Sequence, residues 1–194
     1  ITVGDINEQA KEELGYDGLS GGFVYSIVKN SPAEKSGVRP GDYITRIGSN
    51  RIEDYQELTY VVGNMSPGES REFELSRLGE TMTIDVQIGV RDEKVIEEDT
   101  NRVWPGIAVV TLTDQMRERF DIPRNAGNIV VGRVTEGSPA GVAGLRSGDI
   151  VQAIDGSSIE NLRDFYAALN SGDGRRITFE IYRDGNEVSI GMNR

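Results

Sequence analysis

The chain has 194 residues, with 21 lysines and arginines against 32 aspartates and glutamates and a formal net charge of -11. This charge repels nucleic acids and anionic membrane surfaces, so we expect no nucleic-acid partner. Histidine and cysteine are both absent, which excludes a Ser-His-Asp triad, a Cys-His pair, disulfide bonds and thiolate metal sites.

Other kinds of site find little support in the sequence. The carboxylates show no calcium-loop spacing, and we expect no metal and no cofactor. A Ser-Lys dyad is formally possible, but it needs a buried lysine, and all the lysines lie on polar or loop stretches: Lys11, Lys29, Lys35 and Lys94. No apolar run reaches the roughly 18 residues of a membrane-spanning helix. Because Ile1 lies inside an expected strand, we expect the parent chain to extend upstream.

The first half of the chain alternates strand and helix patterns. In order, the patterns predict a strand, a helix, a strand, a short helix, a strand, a helix and two strands. These elements cover residues 1–3, 8–14, 22–28, 32–36, 43–47, 55–62, 71–77 and 81–87. Asn7, Ser31 and Asp54 are placed to cap the three helices.

The second half repeats this order of elements. Its predicted elements cover residues 107–110, 114–120, 128–134, 139–143, 150–154, 162–169, 177–183 and 187–192. Asp184-Gly185 is the strongest hairpin signal in the chain. Asn170 stands where Gly63 ends the equivalent helix, and we expect it to adopt the left-handed conformation.

An internal repeat organises the chain into two halves. Residues 30–47 and 137–154 align without a gap at a spacing of 107 and share eight of eighteen residues, which is too dense for chance. The shared residues include a cap, Ser31 or Ser138, and a Gly-Asp pair at the start of the following strand. We expect one domain at 1–90, a charged linker at 91–103 and a second domain at 104–194.

The repeated stretch resembles a known family. The pattern S-P-A-x-x-x-G-L-x-x-G-D-x-I is similar to the corresponding segment of PDZ domains in the circularly permuted form of bacterial proteases. The second copy departs from it only at Val151, which stands in place of the last isoleucine, and the first only at Val38, which stands in place of the leucine. The chain resembles the tandem PDZ part of an HtrA/DegP-type serine protease. The resemblance implies an α+β fold of two PDZ-like domains, each a small, partly open β-sandwich or barrel of about five strands with two helices.

A candidate carboxylate-binding loop precedes the first strand of the second half. Trp104-Pro105-Gly106-Ile107 resembles the aromatic-x-Gly-apolar loop of HtrA-type PDZ domains, in which glycine lets consecutive amides turn toward one anion. Arg102 lies where DegP-like first PDZ domains carry a basic residue near the ligand carboxylate. The alternative for Arg102 is a solvated linker charge.

The resemblance also implies a peptide slot in the second half. Ile107, Ala108 and Val109 would pair with the backbone of an added strand, and Phe165 and Leu169 would line the pocket for its last side chain. The alternative makes these two helical side chains plain core, which is the interpretation we favour for Leu162.

The first half would carry an equivalent slot. Ile1, Thr2 and Val3 would form its pairing strand, with Leu58 and Val62 on the opposite helix. Its carboxylate loop would precede Ile1, so part of the first site would lie upstream of the sequence.

The resemblance implies that the domains bind apolar C termini or exposed extended segments by β-augmentation. They would form the substrate-recognition and regulatory part of an HtrA/DegP-like serine endopeptidase that acts in protein quality control. Its partners would be unfolded or misfolded proteins, C-terminal peptides, an upstream protease domain and further copies in a trimer or cage. The location would be periplasmic or otherwise extracytoplasmic. Two alternatives remain open: the PDZ pair of a site-two-type intramembrane metalloprotease, and a non-enzymatic PDZ scaffold or adaptor.

Overall fold

The computed structural model describes residues 1–90, 100–172 and 174–194. The chain divides into two compact units, Ile1–Trp104 and Pro105–Arg194. Each unit combines one antiparallel sheet with short helices, which confirms the predicted α+β class. The expected linker covered residues 91–103. Residues 91–99 lie outside the described part of the chain, and residues 100–103 belong to the first unit.

The first unit is built on a sheet of five strands in the order β1-β2-β3-β5-β6, to which β4 adds beside β3 and β7 beside β2. Its elements in chain order are β1 (Thr2–Gly4), α1 (Glu8–Leu14), β2 (Gly22–Val28), α2 (Pro32–Lys35), β3 (Tyr43–Ile47), β4 (Asn50–Arg51), α3 (Tyr55–Gly63), β5 (Ser70–Arg77), β6 (Glu80–Gln87), a 3-10 turn (Thr100–Arg102) and β7 (Val103–Trp104). Strand β1 is an edge strand of this sheet.

The second unit repeats this arrangement with the sheet order β13-β12-β10-β9-β8, and β11 adds beside β10. Its elements are β8 (Ile107–Thr111), α4 (Asp114–Phe120), a 3-10 turn (Arg124–Ala126), β9 (Ile129–Val134), α5 (Pro139–Ala143), β10 (Ile150–Ile154), β11 (Ser157–Ser158), α6 (Leu162–Asn170), β12 (Arg176–Arg183) and β13 (Asn186–Asn193). Strand β8 is the edge that corresponds to β1.

Local capping sets the helix starts as predicted. The side chains of Asn7, Ser31 and Asp54 each accept a hydrogen bond from a backbone N–H in the first turn of α1, α2 and α3, which satisfies a donor that the helix leaves open. The described part of each unit holds three α-helices. They are the two helices implied by the resemblance and the short helix predicted in the repeated stretch.

The expected left-handed stop at Asn170 is wrong. Asn170 is the last residue of α6, and Ser171 follows it as an extended cap with φ of -79°. The end of the helix is instead held by side chains, because the Ser171 hydroxyl donates to Ala168 O and the Arg194 guanidinium donates to Leu169 O. A cation bound to these last carbonyls also complements the helix dipole.

The repeated Gly-Asp pair places a buried carboxylate in each unit. Asp42 is 0% exposed and Asp149 is 1% exposed. Arg77, at the end of β5, donates from Nε and Nη2 to the two Asp42 carboxylate oxygens at 2.7 and 2.8 Å. Arg183, at the end of β12, does the same to Asp149 at 2.6 and 2.7 Å. We call each pair the Asp–Arg clamp.

Each clamp also fixes the loop that follows the short helix. In the first unit the Arg39 N–H donates to Asp42, and Arg77 donates to Gly37 O. In the second unit Arg146 N–H donates to Asp149, and Arg183 donates to Gly144 O. The hydrogen bonds to the aspartates raise the pKa of both arginine side chains. One buried ion pair therefore joins a loop, a central strand and the last hairpin.

Arg77→Met should destabilise the first unit by about 3 to 5 kcal/mol, because it leaves the Asp42 carboxylate buried without its cation. Urea unfolding followed by tryptophan fluorescence measures this directly, since the one tryptophan of the chain, Trp104, is buried in the first unit. Arg51→Met is the matched control, because Arg51 and Glu53 form an exposed ion pair expected to contribute less than about 1 kcal/mol. Equal losses in the two variants would contradict the role of the clamp.

Glycine at position 22 lets α3 lie close to β2. A Cβ atom there would lie 2.6 Å from Leu58 Cδ2 and 3.2 Å from Tyr55 Cα. Backbone atoms cannot give way as a side-chain tip does, so any larger residue pushes the start of α3 away from the sheet.

Gly22→Ala should therefore lower the unfolding free energy of the first unit by about 1 to 3 kcal/mol. Gly63→Ala is the control in the same helix, because a Cβ there meets no atom within 4 Å and alanine is the better helix former. The same urea titration measures both variants. A Gly22→Ala protein as stable as Gly63→Ala would show that the close approach of α3 is not required.

Candidate functional site

Strand β8 has one strand neighbour, β9, within the described residues. Val109 lies opposite Val131, whose N–H donates to Asp149 O and whose carbonyl accepts from Gly148 N–H, both at 2.8 Å. Because the polar groups of Val131 face β10, the Val109–Val131 pair is a non-hydrogen-bonded pair. The N–H and C=O of Val109 therefore point away from β9, toward the edge of the sheet.

The same geometry holds at the start of β8. Thr135 N–H donates to Gly106 O at 2.7 Å, next to the pair of Ile107 with Val134. This bond makes the Ile107–Val134 pair a non-hydrogen-bonded pair as well. Ile107 and Val109 thus direct their backbone groups to the sheet edge, and Ala108 between them pairs with Arg133 of β9.

Helix α6 packs against β8 and β10. Of the predicted pocket residues, Phe165 is 1% exposed and Leu169 is 0% exposed, and Leu162 is buried too. The side chains of Ile107 and Val109 are also buried. The structure places Ile107, Ala108, Val109, Phe165 and Leu169 in one unit. The backbone groups of Ala108, which we expected to pair with a ligand, face β9 instead.

The first unit has the same edge with less buried walls. Val3 lies opposite Val24, whose polar groups bond to Asp42 O and Gly41 N–H of the neighbouring loop, so Val3 directs its backbone groups to the edge. The register of β1 shifts between Thr2 and Val3, and the register of β8 shifts between Ala108 and Val109. Val3 of the first unit therefore corresponds to Val109 of the second. Helix α3 packs against β1 and β2.

The predicted residues of the first slot differ in exposure. Leu58 is fully buried, Val62 and Val3 are half-buried, and Ile1 and Thr2 are exposed. Leu58 is therefore part of the domain core. Of the two predicted helical residues, Val62 is the one that still has exposed apolar surface for a ligand to contact.

The candidate carboxylate loop turns at Gly106, whose φ is 80°, a conformation that favours glycine. Its carbonyl accepts bonds from Thr135 N–H and, at 3.4 Å, from the Ser138 hydroxyl. Pro105 has no N–H to offer. Both Pro105 and Gly106 are buried.

The residues before Pro105 belong to the first unit. Val103 pairs with Val28 and Trp104 with Ile27. Arg102 donates from Nε and Nη2 to Lys29 O at 3.1 and 2.7 Å. The guanidinium of Arg102 therefore binds a backbone carbonyl of the first unit.

Lys29 is a partner that sequence reasoning missed. Its N–H donates to Arg102 O at 2.8 Å, and its ammonium lies 4.8 Å from the centroid of the Trp104 ring, a cation–π arrangement. Burial lowers the pKa of this ammonium. The clamp residues were missed as well, although the repetition of Arg77 and Arg183 before matching hairpin turns was a usable signal.

The described residues hold no group of three or more metal-ligating side chains. No helix among them has the length and apolar character needed to cross a bilayer.

Comparison with known proteins gives the same picture. The family model for the PDZ domain matches twice, over residues 7–88 and 106–193. Curated relatives described as probable periplasmic serine endoproteases DegP-like are 28% identical in Hahella chejuensis, 29% in Marinomonas sp. and 26% in Pseudomonas fulva, each over 98% of this chain. The chain covers only 42%, 40% and 41% of those relatives.

Among solved structures, one described as "HtrA-type protease AlgWS227A with decapeptide" matches with a TM-score of 0.41 and 21% identity, over 62% of this chain and 43% of that chain. This score is too low to support an argument. The two matches of the family model span most of the chain, one in each unit, and they confirm the predicted tandem. The chain belongs to the PDZ domain family and consists of two PDZ domains homologous to the PDZ region of DegP-like serine endoproteases.

Proposed function

We propose that the two PDZ domains bind extended polypeptide segments, each as an additional strand on β1 or β8. The observation that carries this proposal is the direction of the backbone groups of Val3, Ile107 and Val109, which point to a sheet edge lying beside an amphipathic helix. An added strand pairs with these groups, and its alternate side chains face α3 or α6.

The ligands are unfolded or misfolded proteins and apolar C termini. A buried apolar side chain contributes roughly 1.5 to 3 kcal/mol, each ladder hydrogen bond about 1 kcal/mol, and association costs at least about 4 kcal/mol. A single slot then binds with a dissociation constant on the order of micromolar to sub-millimolar. Two slots on one chain raise the apparent affinity for a long unfolded substrate.

The proposed setting follows from the relatives. They are named as periplasmic serine endoproteases, and the chain spans about two fifths of their length. We assign the two domains to the substrate-recognition and regulatory part of such an endoprotease, outside the cytoplasm, in a parent chain that carries the protease domain and forms oligomers. These names favour the endoprotease over the site-two-type metalloprotease or the free scaffold.

Proline substitution on the edge strands tests strand addition. In Val109→Pro the ring occupies the direction in which the Val109 N–H pointed, so the variant blocks an incoming strand without removing a bond to β9. Val3→Pro does the same on β1. Each variant should remove one binding event for a fluorescein-labelled apolar octapeptide titrated by anisotropy, and the double variant should remove all binding.

Val110→Thr is the matched control, because the Val110 side chain is 43% exposed on the other face of β8 and its backbone groups pair with β9. Circular dichroism verifies that each variant is folded. Unchanged peptide binding by the folded double proline variant would show that the ligand does not add to these edges.

A further inference from the structure

We infer that the second domain does not read a free C-terminal carboxylate and instead takes internal extended segments. This inference rests on the proposed function, namely strand addition at β8. It concerns which part of a substrate polypeptide the second slot recognises.

The loop before β8 lacks a run of backbone donors. An anion receptor of this kind needs consecutive N–H groups that turn toward one point, and Pro105 interrupts the run because it has no N–H. Lys29 N–H donates to Arg102 O, which makes the Val28–Val103 pair non-hydrogen-bonded and the next pair, Ile27–Trp104, hydrogen-bonded. The Trp104 N–H is therefore directed to Ile27.

This leaves Gly106 and Ile107 as the donors of the loop. The Ile107 N–H points to the sheet edge and is required for the ladder with an added strand. Gly106 is buried, and its carbonyl is fixed by Thr135 and Ser138. One buried amide beyond the ladder is a weak receptor for a solvated carboxylate, whose desolvation must be offset by charge-assisted hydrogen bonds.

Arg102 and Lys29, two cations of the first unit, have partners other than a ligand. The Arg102 guanidinium donates to Lys29 O, and the Lys29 ammonium lies over the Trp104 ring. The charge of the whole chain, -11, disfavours an additional anion. Neither Arg102, Lys29 nor the net charge therefore supplies a preference for a chain end.

The helix side of the slot offers little apolar surface. Phe165 and Leu169 are almost fully buried, and Tyr166 next to them packs edge-on against Phe165 with ring centroids 5.1 Å apart. Because Phe165 and Leu169 pack within the core of the domain, they leave little apolar surface to contact a ligand residue that faces α6. The recognition energy then comes mainly from the backbone ladder, which internal segments supply as well as chain ends do.

The test uses the 194-residue chain carrying Val3→Pro, so that the second slot is measured alone. Three fluorescein-labelled peptides are compared by anisotropy: an octapeptide of alternating valine and threonine as the free acid, the same peptide as the C-terminal amide, and the same peptide followed by four glycine and serine residues. All three should bind with dissociation constants within about two-fold of each other, since they form the same ladder.

A preference of about ten-fold or more for the free acid would overturn the inference while leaving strand addition intact. Binding of none of the three peptides would instead overturn the proposed function of the second domain. Pro105→Ala, which restores a backbone donor, should raise the affinity for the free acid over the amide by several-fold, roughly the effect of one charge-assisted hydrogen bond. No change in this ratio would show that Pro105 is not the residue that excludes a carboxylate.

Discussion

The buried Asp–Arg clamp is the interaction on which both domains depend. It places a carboxylate in the core of each unit and satisfies it with a bidentate arginine and a backbone N–H. The backbone carbonyl of each aspartate also binds the neighbouring strand. Asp42 O accepts a hydrogen bond from Val24 N–H, and Asp149 O accepts one from Val131 N–H. Those bonds turn Val24 and Val131 toward the centre of the sheet and so turn their partners, Val3 and Val109, toward the edge.

The chain of causes therefore runs from a repeated Gly-Asp pair to an open sheet edge. The carboxylate fixes the loop, and the loop carbonyl accepts a hydrogen bond from the neighbouring strand, at Val24 or Val131. This bond decides in which direction the backbone groups of that strand point, and so which residues of the edge strand direct their own groups outward.

The two domains share this framework but differ at the slot. Gly22 lies beside Leu58 in the first domain, whereas Ile129 fills the equivalent place in the second, and the second slot has the more deeply buried walls.

Local signals in the sequence predicted much of the fold. The helix Glu8–Leu14 and the strands Tyr43–Ile47 and Ile150–Ile154 have the predicted bounds, because caps, glycines and apolar runs act over a few residues. The predictions were weaker where distant residues decide. We expected Val103 to end the charged linker and Trp104 to open the second domain, yet both residues pair with Ile27–Val28 of the first unit. Asn170 does not adopt the expected left-handed conformation, and Ser171 and Arg194 hold the end of α6 instead. The slot residues followed from the family resemblance, but the direction of their backbone groups required the strand register.

The most direct test of strand addition is amide hydrogen exchange in β8, resolved by residue, with and without a saturating apolar peptide. In the free chain the amides of Ala108 and Val110, which face β9, should be protected, and those of Ile107 and Val109 should exchange faster. Bound peptide should protect Ile107 and Val109 and leave the other two unchanged. Protection of Ile107 and Val109 in the free chain, or no change in them when the peptide is bound, would contradict the account.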